Sequence, residues 1–252
     1  MRTIFTLFAL LTTLGSYAQS TISSGQIKYK ETLKLELDLS TDNPMFEQIK
    51  DQIPDERTTD KLLTFKDSES LYTNQPSKKE DKEVEIANDE SLTIRMDFDV
   101  PEEIFYYNSS SKEGLQQRSF MGRTFLVSGE KTFKWKITGE TKEILGYTCT
   151  KATTGDSIQT VAWFTSEIPV FSGPDVYAGL PGLILEVDIE EGKRVIQATD
   201  IDLADIETAI AKPTKGKKVN SEQFAKIMKK KMEEMRQEFG GSGNVMIITE
   251  EY

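Results

Sequence analysis

The sequence predicts a mainly β protein of the α+β class: a large curved antiparallel sheet or half-open barrel, one short helix after the first strand, and an amphipathic helix near the C-terminus. Three observations predict it. Ile27, Tyr29, Leu33, Leu35, Leu37 and Leu39 fall on one parity and Lys28, Lys30, Lys34, Glu36 and Asp38 on the other, the period of a strand with one buried and one wet face. Comparable strand-like segments recur down most of the chain. Near the end the period changes to that of a helix, with Phe224, Ile227, Met228, Met232, Met235 and Phe239 on one face. Hydrophobic residues make up 37% and come in these clean runs, which argues against disorder. The length suits one β-rich domain after a leader.

The first strand is long enough to cross a large sheet. Asn43-Pro44 breaks it, and residues 45–53 then read as a short helix stopped by Pro54. Lys61–Lys66 and Ser70–Thr73 form a hairpin. Asn74 to Glu90 is dense in charge (Lys78, Lys79, Glu80, Asp81, Lys82, Glu83, Glu85) and reads as an exposed loop. Leu92, Ile94, Met96 and Phe98 alternate again. Strands are then expected at Ile104–Asn108, Arg118–Val127, Thr132–Thr138, Glu143–Ala152, Thr160–Phe164, Leu183–Ile189 and Val195–Leu203. Asn220 with Gln223 resembles a capping box for a helix over 221–239, and Gly240-Gly241 stops it. Val245–Thr249 adds a last strand. A plain β-sandwich with an appended helix is the alternative architecture.

The beginning of the chain sets the compartment. Arg2, the apolar stretch Ile4–Leu14 and the small residues Ser16-Tyr17-Ala18 have the layout of a secretory signal peptide over residues 1–18, with cleavage before Gln19. The stretch is short for a membrane span, and no second apolar run of about 18 residues follows. The single cysteine, Cys149, lies far from the cleavage point, so a lipid-anchored lipoprotein is not expected. The mature chain is expected in the periplasm or associated with the outer envelope. Its formal charge is −11 with the leader, which argues against nucleic acid and anionic lipid as partners. One cysteine cannot form an internal disulfide. In the strand-like Tyr147–Ala152 it reads as a small buried hydrophobe, with a reactive thiol as the alternative.

The most informative residues are Gly179-Leu180-Pro181-Gly182-Leu183-Ile184. Proline fixes φ and glycine permits positive φ, so the string reads as a tight corner launching an apolar strand. With Trp135-Lys136-Ile137, Ile144–Ala152 and Ala162-Trp163-Phe164-Thr165 upstream, it resembles the signature of the GLPGLI family of exported, Bacteroidetes-type proteins. The resemblance covers roughly Phe120 to Leu203. It implies an exported protein of uncharacterised biochemistry and association with an outer-membrane transporter of the TonB-dependent type. The order of elements also looks like the half-open barrel of lipoprotein carriers.

Missing chemistry narrows the function. There is no histidine, which removes Ser-His-Asp and Cys-His catalysis and the common zinc sites. No phosphate loop or dinucleotide fingerprint occurs. Carboxylates crowd Asp188 to Glu207, but solvated faces explain them better than a paired-acid hydrolase. The helix methionines suit core packing better than copper handling. No cofactor or metal is expected, and the chain reads as non-enzymatic. The favoured expectation is an envelope binding protein holding an apolar small molecule or a polypeptide segment on its sheet. Trp135, Tyr147 and Trp163 are the candidate lining, with Leu180 and Leu183 at its rim, and Tyr177, Gly179, Pro181 and Gly182 complete the candidate binding residues. The alternative is an accessory or assembly factor for an outer-membrane transporter.

Overall fold

The computed structural model describes residues 22–35, 54–75, 84–88, 92–96, 102–129, 132–155 and 159–239. The expected leader, the helix over 45–53 and the strand over 245–249 lie outside these residues. Fourteen strands and one helix are described. In chain order they are β1 (Ser24–Lys34), β2 (Glu56–Lys66), β3 (Glu69–Asn74), β4 (Val84–Asn88), β5 (Leu92–Met96), β6 (Ile104–Asn108), β7 (Glu113–Phe120) and β8 (Arg123–Ser128). Then follow β9 (Trp135–Ile144), β10 (Tyr147–Thr154), β11 (Thr160–Thr165), β12 (Leu183–Ile189), β13 (Arg194–Asp202), β14 (Lys217–Asn220) and helix α1 (Ser221–Phe239).

Twelve strands form one sheet in the order β14-β8-β7-β6-β3-β2-β1-β13-β12-β11-β10-β9, and β4 pairs with β5 in a small second sheet. The main sheet is antiparallel except where β14 joins β8 in parallel. It is open, ending in β14 and β9, so the mainly β, single-sheet class expected from the sequence holds and a closed barrel does not form. The register shifts at Lys28/Tyr29, Thr150/Ala152 and Trp163/Phe164, where an extra residue bends a strand and increases its twist.

Hairpin turns account for most differences from the sequence reading. Met121 and Gly122, at φ 49° and 70°, split the expected strand Arg118–Val127 into β7 and β8. Leu145 and Gly146, at φ 52° and 83°, end β9 and start β10 inside the expected Glu143–Ala152. Two consecutive left-handed residues make the two-residue turn whose twist matches an antiparallel pair. The charged stretch 74–90 is not all loop: Val84–Asn88 is a strand, paired with Leu92–Met96.

The helix is built as its sequence suggests. The Gln223 N–H donates to Asn220 Oδ1 at 2.8 Å and the Asn220 N–H to Gln223 Oε1 at 3.0 Å, the reciprocal pair of a capping box. Phe224 is buried with Phe125, Val127 and Val219, and Ile227 and Met228 pack beside it. The helix is therefore anchored at its first turns on β8 and β14.

The main core gathers Ile27, Tyr29, Leu63, Phe65, Tyr72, Phe105, Leu185 and Ile196. The connection between β11 and β12 joins that core through Ile168 and Val170. It is tied to the sheet by Leu183 N–H to Ile168 O (3.0 Å) and Ile184 N–H to Ser172 O (3.1 Å), and by a 2.7 Å hydrogen bond between the Ser70 and Ser172 hydroxyls.

Candidate functional site

The corner at 179–184 is mostly interior. Leu180 is 1% exposed and Leu183 and Ile184 are fully buried, whereas Gly179 and Pro181 face solvent. Leu180 and Leu183 are thus core residues and not the rim expected from the sequence. The reason is backbone contact at Gly182: it adopts φ 152°, and a Cβ there would lie 2.0 Å from the Thr165 carbonyl oxygen. Only glycine lets the corner press this closely on the end of β11. The Tyr29 hydroxyl, fully inside, then donates to Ile184 O at 2.6 Å.

An aromatic patch stands beside the corner. Phe133, Trp135 and Tyr177 lie together, with ring centroids 5.3 Å (Phe133–Trp135), 5.0 Å (Phe133–Tyr177) and 6.4 Å (Trp135–Tyr177) apart. The Trp135 Nε1–H donates to Ala178 O at 2.9 Å, so the indole holds the chain just before Gly179. Tyr177 is buried with Leu180, while Phe133 and Trp135 are half-buried. Burial, with a smaller effect from the Asp175 carboxylate, pushes the Tyr177 phenol up to about 12. Ile137, two residues on from Trp135, is 50% exposed. Among the described residues β9 pairs with β10 alone, so its other side is an open edge.

Of the residues singled out from the sequence, the fold brings together Trp135, Tyr177 and Leu180 around this corner, with Gly179, Pro181 and Gly182 in the same turn. Leu183 packs into the main core, and Tyr147 and Trp163 lie against it, half-buried. Trp163 sits under the Lys142 ammonium, 4.4 Å from its ring centroid, and Lys142 is paired to Glu186 at 2.6 Å. Cys149 is fully buried, and burial pushes its thiol up to about 11 against the opposing pull of Lys142.

A row of buried charges crosses the sheet, and sequence reasoning missed it. Asp175 Oδ2 meets Arg194 Nη1 at 2.7 Å, and Arg194 Nε meets Glu31 Oε1 at 2.8 Å. Lys61 Nζ follows, 3.9 Å from Glu31 Oε2 and 4.0 Å from Glu103 Oε2, and Arg118 Nε closes the row at 2.9 Å from Glu103 Oε1. All six residues are 9% exposed or less. Burial pulls the Arg194 guanidinium down, but Asp175 and Glu31 outweigh it and hold it well above its ordinary value. The neighbouring Tyr72 phenol is driven up by burial first and by the Glu31 charge next. Among the described residues, Glu31 Oε2 and the Tyr72 hydroxyl have no hydrogen-bond partner. A signal existed: Glu31 sits on the parity of Ile27 and Tyr29, Lys61 on that of Leu63 and Phe65, and Arg194 on that of Ile196 and Ala198. A charge on the buried parity of a strand marks a buried ion pair.

A cleft opens between β6, β7 and the 172–178 chain, lined by Phe105, Tyr106, Gln116, Ser172, Asp175 and Tyr177 among others. Its volume is about 30 Å³, room for one or two waters. No helix among the described residues is long and apolar enough to cross a membrane.

Comparison with known proteins places the chain coarsely. Residues 153–186, which include the corner as far as Glu186, match a protein family of unknown function, Porph_ging. That supports an exported protein of Bacteroidetes type with unknown function. The resemblance to the GLPGLI family and to lipoprotein carriers finds no specific support beyond it. No curated protein matches. Two solved structures of PNGF-II, in space groups P21 and C2, share the fold at TM-scores of 0.53 and 0.52 with 18% and 17% identity. Each match covers 82% of this chain and 33% of PNGF-II, so the chain spans about a third of that protein. The likeness corrects the expectation of a chain without enzymatic activity, because the fold is one found in an enzyme of the PNGase F kind. At this identity it shows the fold alone.

Proposed function

We propose that this exported chain captures an extended polypeptide segment along the open edge of β9. The observation that carries the reading is the coincidence of that edge with the Phe133–Trp135–Tyr177 patch and the exposed Ile137. A strand edge supplies main-chain hydrogen bonds to any extended partner, and alternate side chains on its face supply selectivity. Here Phe133, Trp135 and Ile137 share a parity, so a bound segment would place every second side chain against an aromatic or aliphatic surface. The exposed Gly179 and Pro181 lie at the end of this platform, next to the Ala178 carbonyl that Trp135 holds.

The packing supports a polypeptide over an enclosed apolar ligand. The corner, Ile168 and Val170 fill the inner face of the sheet, and the cleft beside Tyr177 holds only about 30 Å³. A drug- or lipid-sized molecule needs a pocket on the order of 300 Å³ or more. Capture at a sheet edge also suits an accessory role beside an outer-membrane protein, such as a TonB-dependent-type transporter, whose exported segments would be the natural cargo.

The experiment is a peptide-array screen with the mature protein, repeated with Trp135→Ala and Ile137→Lys. The expected result is binding of extended peptides with alternating apolar residues, weakened at least tenfold by either substitution. Binding that both variants retain would place the site elsewhere.

A further inference from the structure

We propose that Lys61 and Asn74 are a modification site at which β2 and β3 become joined by an isopeptide bond. The two residues are directly opposed in the β2–β3 register, and Lys61 Nζ lies 2.7 Å from Asn74 Oδ1. Lys61 is 2% exposed. The carboxamide carbon is one bond beyond Oδ1, so amine and electrophile are held side by side before any reaction, the condition under which a weak nucleophile becomes effective.

The surroundings supply the proton chemistry. A lysine attacks only as the neutral amine, so the step needs a base near Nζ that can take up a proton. Two carboxylates flank Nζ, Glu31 Oε2 at 3.9 Å and Glu103 Oε2 at 4.0 Å. The second oxygen of each is engaged by an arginine, Arg194 on Glu31 and Arg118 on Glu103. This fixes the carboxylates with Oε2 towards the amine. Among the described residues Glu31 Oε2 has no hydrogen-bond partner and is the open acceptor. The Tyr72 ring, 5.8 Å from Nζ, and Tyr29, opposite Lys61 in the β1–β2 register, are both buried and limit access of competing water.

The step balances without an added reagent. The Lys61 ammonium passes one proton to Glu31 Oε2, and Nζ attacks Asn74 Cγ to form the C–N bond. The tetrahedral intermediate breaks its Cγ–Nδ2 bond. A second proton from Nζ moves to Nδ2 through the flanking carboxylate, and ammonia leaves. The products are a secondary amide and protonated Glu31, so the buried row, three acids and three bases before reaction, stays neutral. An exported chain whose one cysteine is buried and free would gain in this way the covalent staple that disulfides give other secreted proteins.

Tryptic digestion of the purified mature protein with tandem mass spectrometry tests it. Linked Lys61 resists cleavage, so peptides 58–66 and 67–78 should appear joined, at their summed mass less one ammonia, in most molecules. Localisation matters, because an N-terminal Gln19 would lose the same mass on cyclising. Asn74→Ala should give the two peptides unjoined with Lys61 cleavable. Glu31→Gln, if it folds, should do the same with Asn74 intact. Free peptides ending at Lys61 from the folded wild-type protein would overturn the proposal, whatever the variants do.

Discussion

Replacing Gly182 by alanine sets a methyl carbon 2.0 Å from the Thr165 carbonyl oxygen, 2.6 Å from its carbon and 3.0 Å from Ser166 Cα. All three are backbone atoms at the end of β11, so no side-chain rotation relieves the clash. The corner must withdraw, and with it Leu180 and Leu183, which are buried to within 1%. Overpacking of this kind costs about 1–3 kcal/mol, and a non-glycine residue at φ 152° adds about 1–2 kcal/mol of strain. The expected loss is about 2–5 kcal/mol, a large share of the ~5–15 kcal/mol that holds a domain together. Gly179→Ala is the internal control. It also has a positive φ, 89°, but nothing lies within 4 Å of the added carbon, so only strain of about 1–2 kcal/mol remains. Urea unfolding of both variants, followed by tryptophan fluorescence, separates the two effects. Equal destabilisation by the two substitutions, or a Gly182→Ala loss below about 1 kcal/mol, would refute the reasoning.

Arg194→Met removes the buried cation that Asp175 and Glu31 share, and should cost about 3–5 kcal/mol in the same unfolding assay; a loss below ~1 kcal/mol would show that water reaches the row. Phe224→Ala should cost about 3–5 kcal/mol and loosen α1, read as lost helical circular dichroism, whereas Met232→Lys, at a half-exposed position, should change stability by less than about 1 kcal/mol. Cys149, with its thiol held near 11 by burial, should react with a disulfide reagent at pH 8 only after unfolding. Because its folded value lies above the unfolded one of about 8.5, its contribution to stability is complete below that pH and falls as pH rises towards 11. Cys149→Ala should remove that alkaline decline.

Periodicity made the strands and the helix legible. The alternation at Ile27 to Leu33 and the Asn220/Gln223 box both appear in the fold as read, since each depends on neighbours in the chain. The turns at Met121-Gly122 and Leu145-Gly146 were not legible, because Met121 and Leu145 are poor markers of positive φ and the apolar pattern runs through them. The interior position of Leu180 and Leu183 depends on a contact between Gly182 and Thr165, seventeen positions earlier, that no local pattern encodes. The charge row needed a different reading: Glu31, Lys61, Arg118 and Arg194 lie on four strands, and their pairing is set by sheet order. Each alone reads as an ordinary surface charge, although parity with buried neighbours identifies Glu31, Lys61 and Arg194.

The claim most exposed to test is that β9 is a binding edge. Hydrogen–deuterium exchange of the mature protein, free and with a peptide selected on the array, measures it directly. The account predicts slower exchange across residues 133–144 on binding, with little change in β1, β2 and β13. Protection confined to the 172–178 cleft, or none in β9, would contradict it.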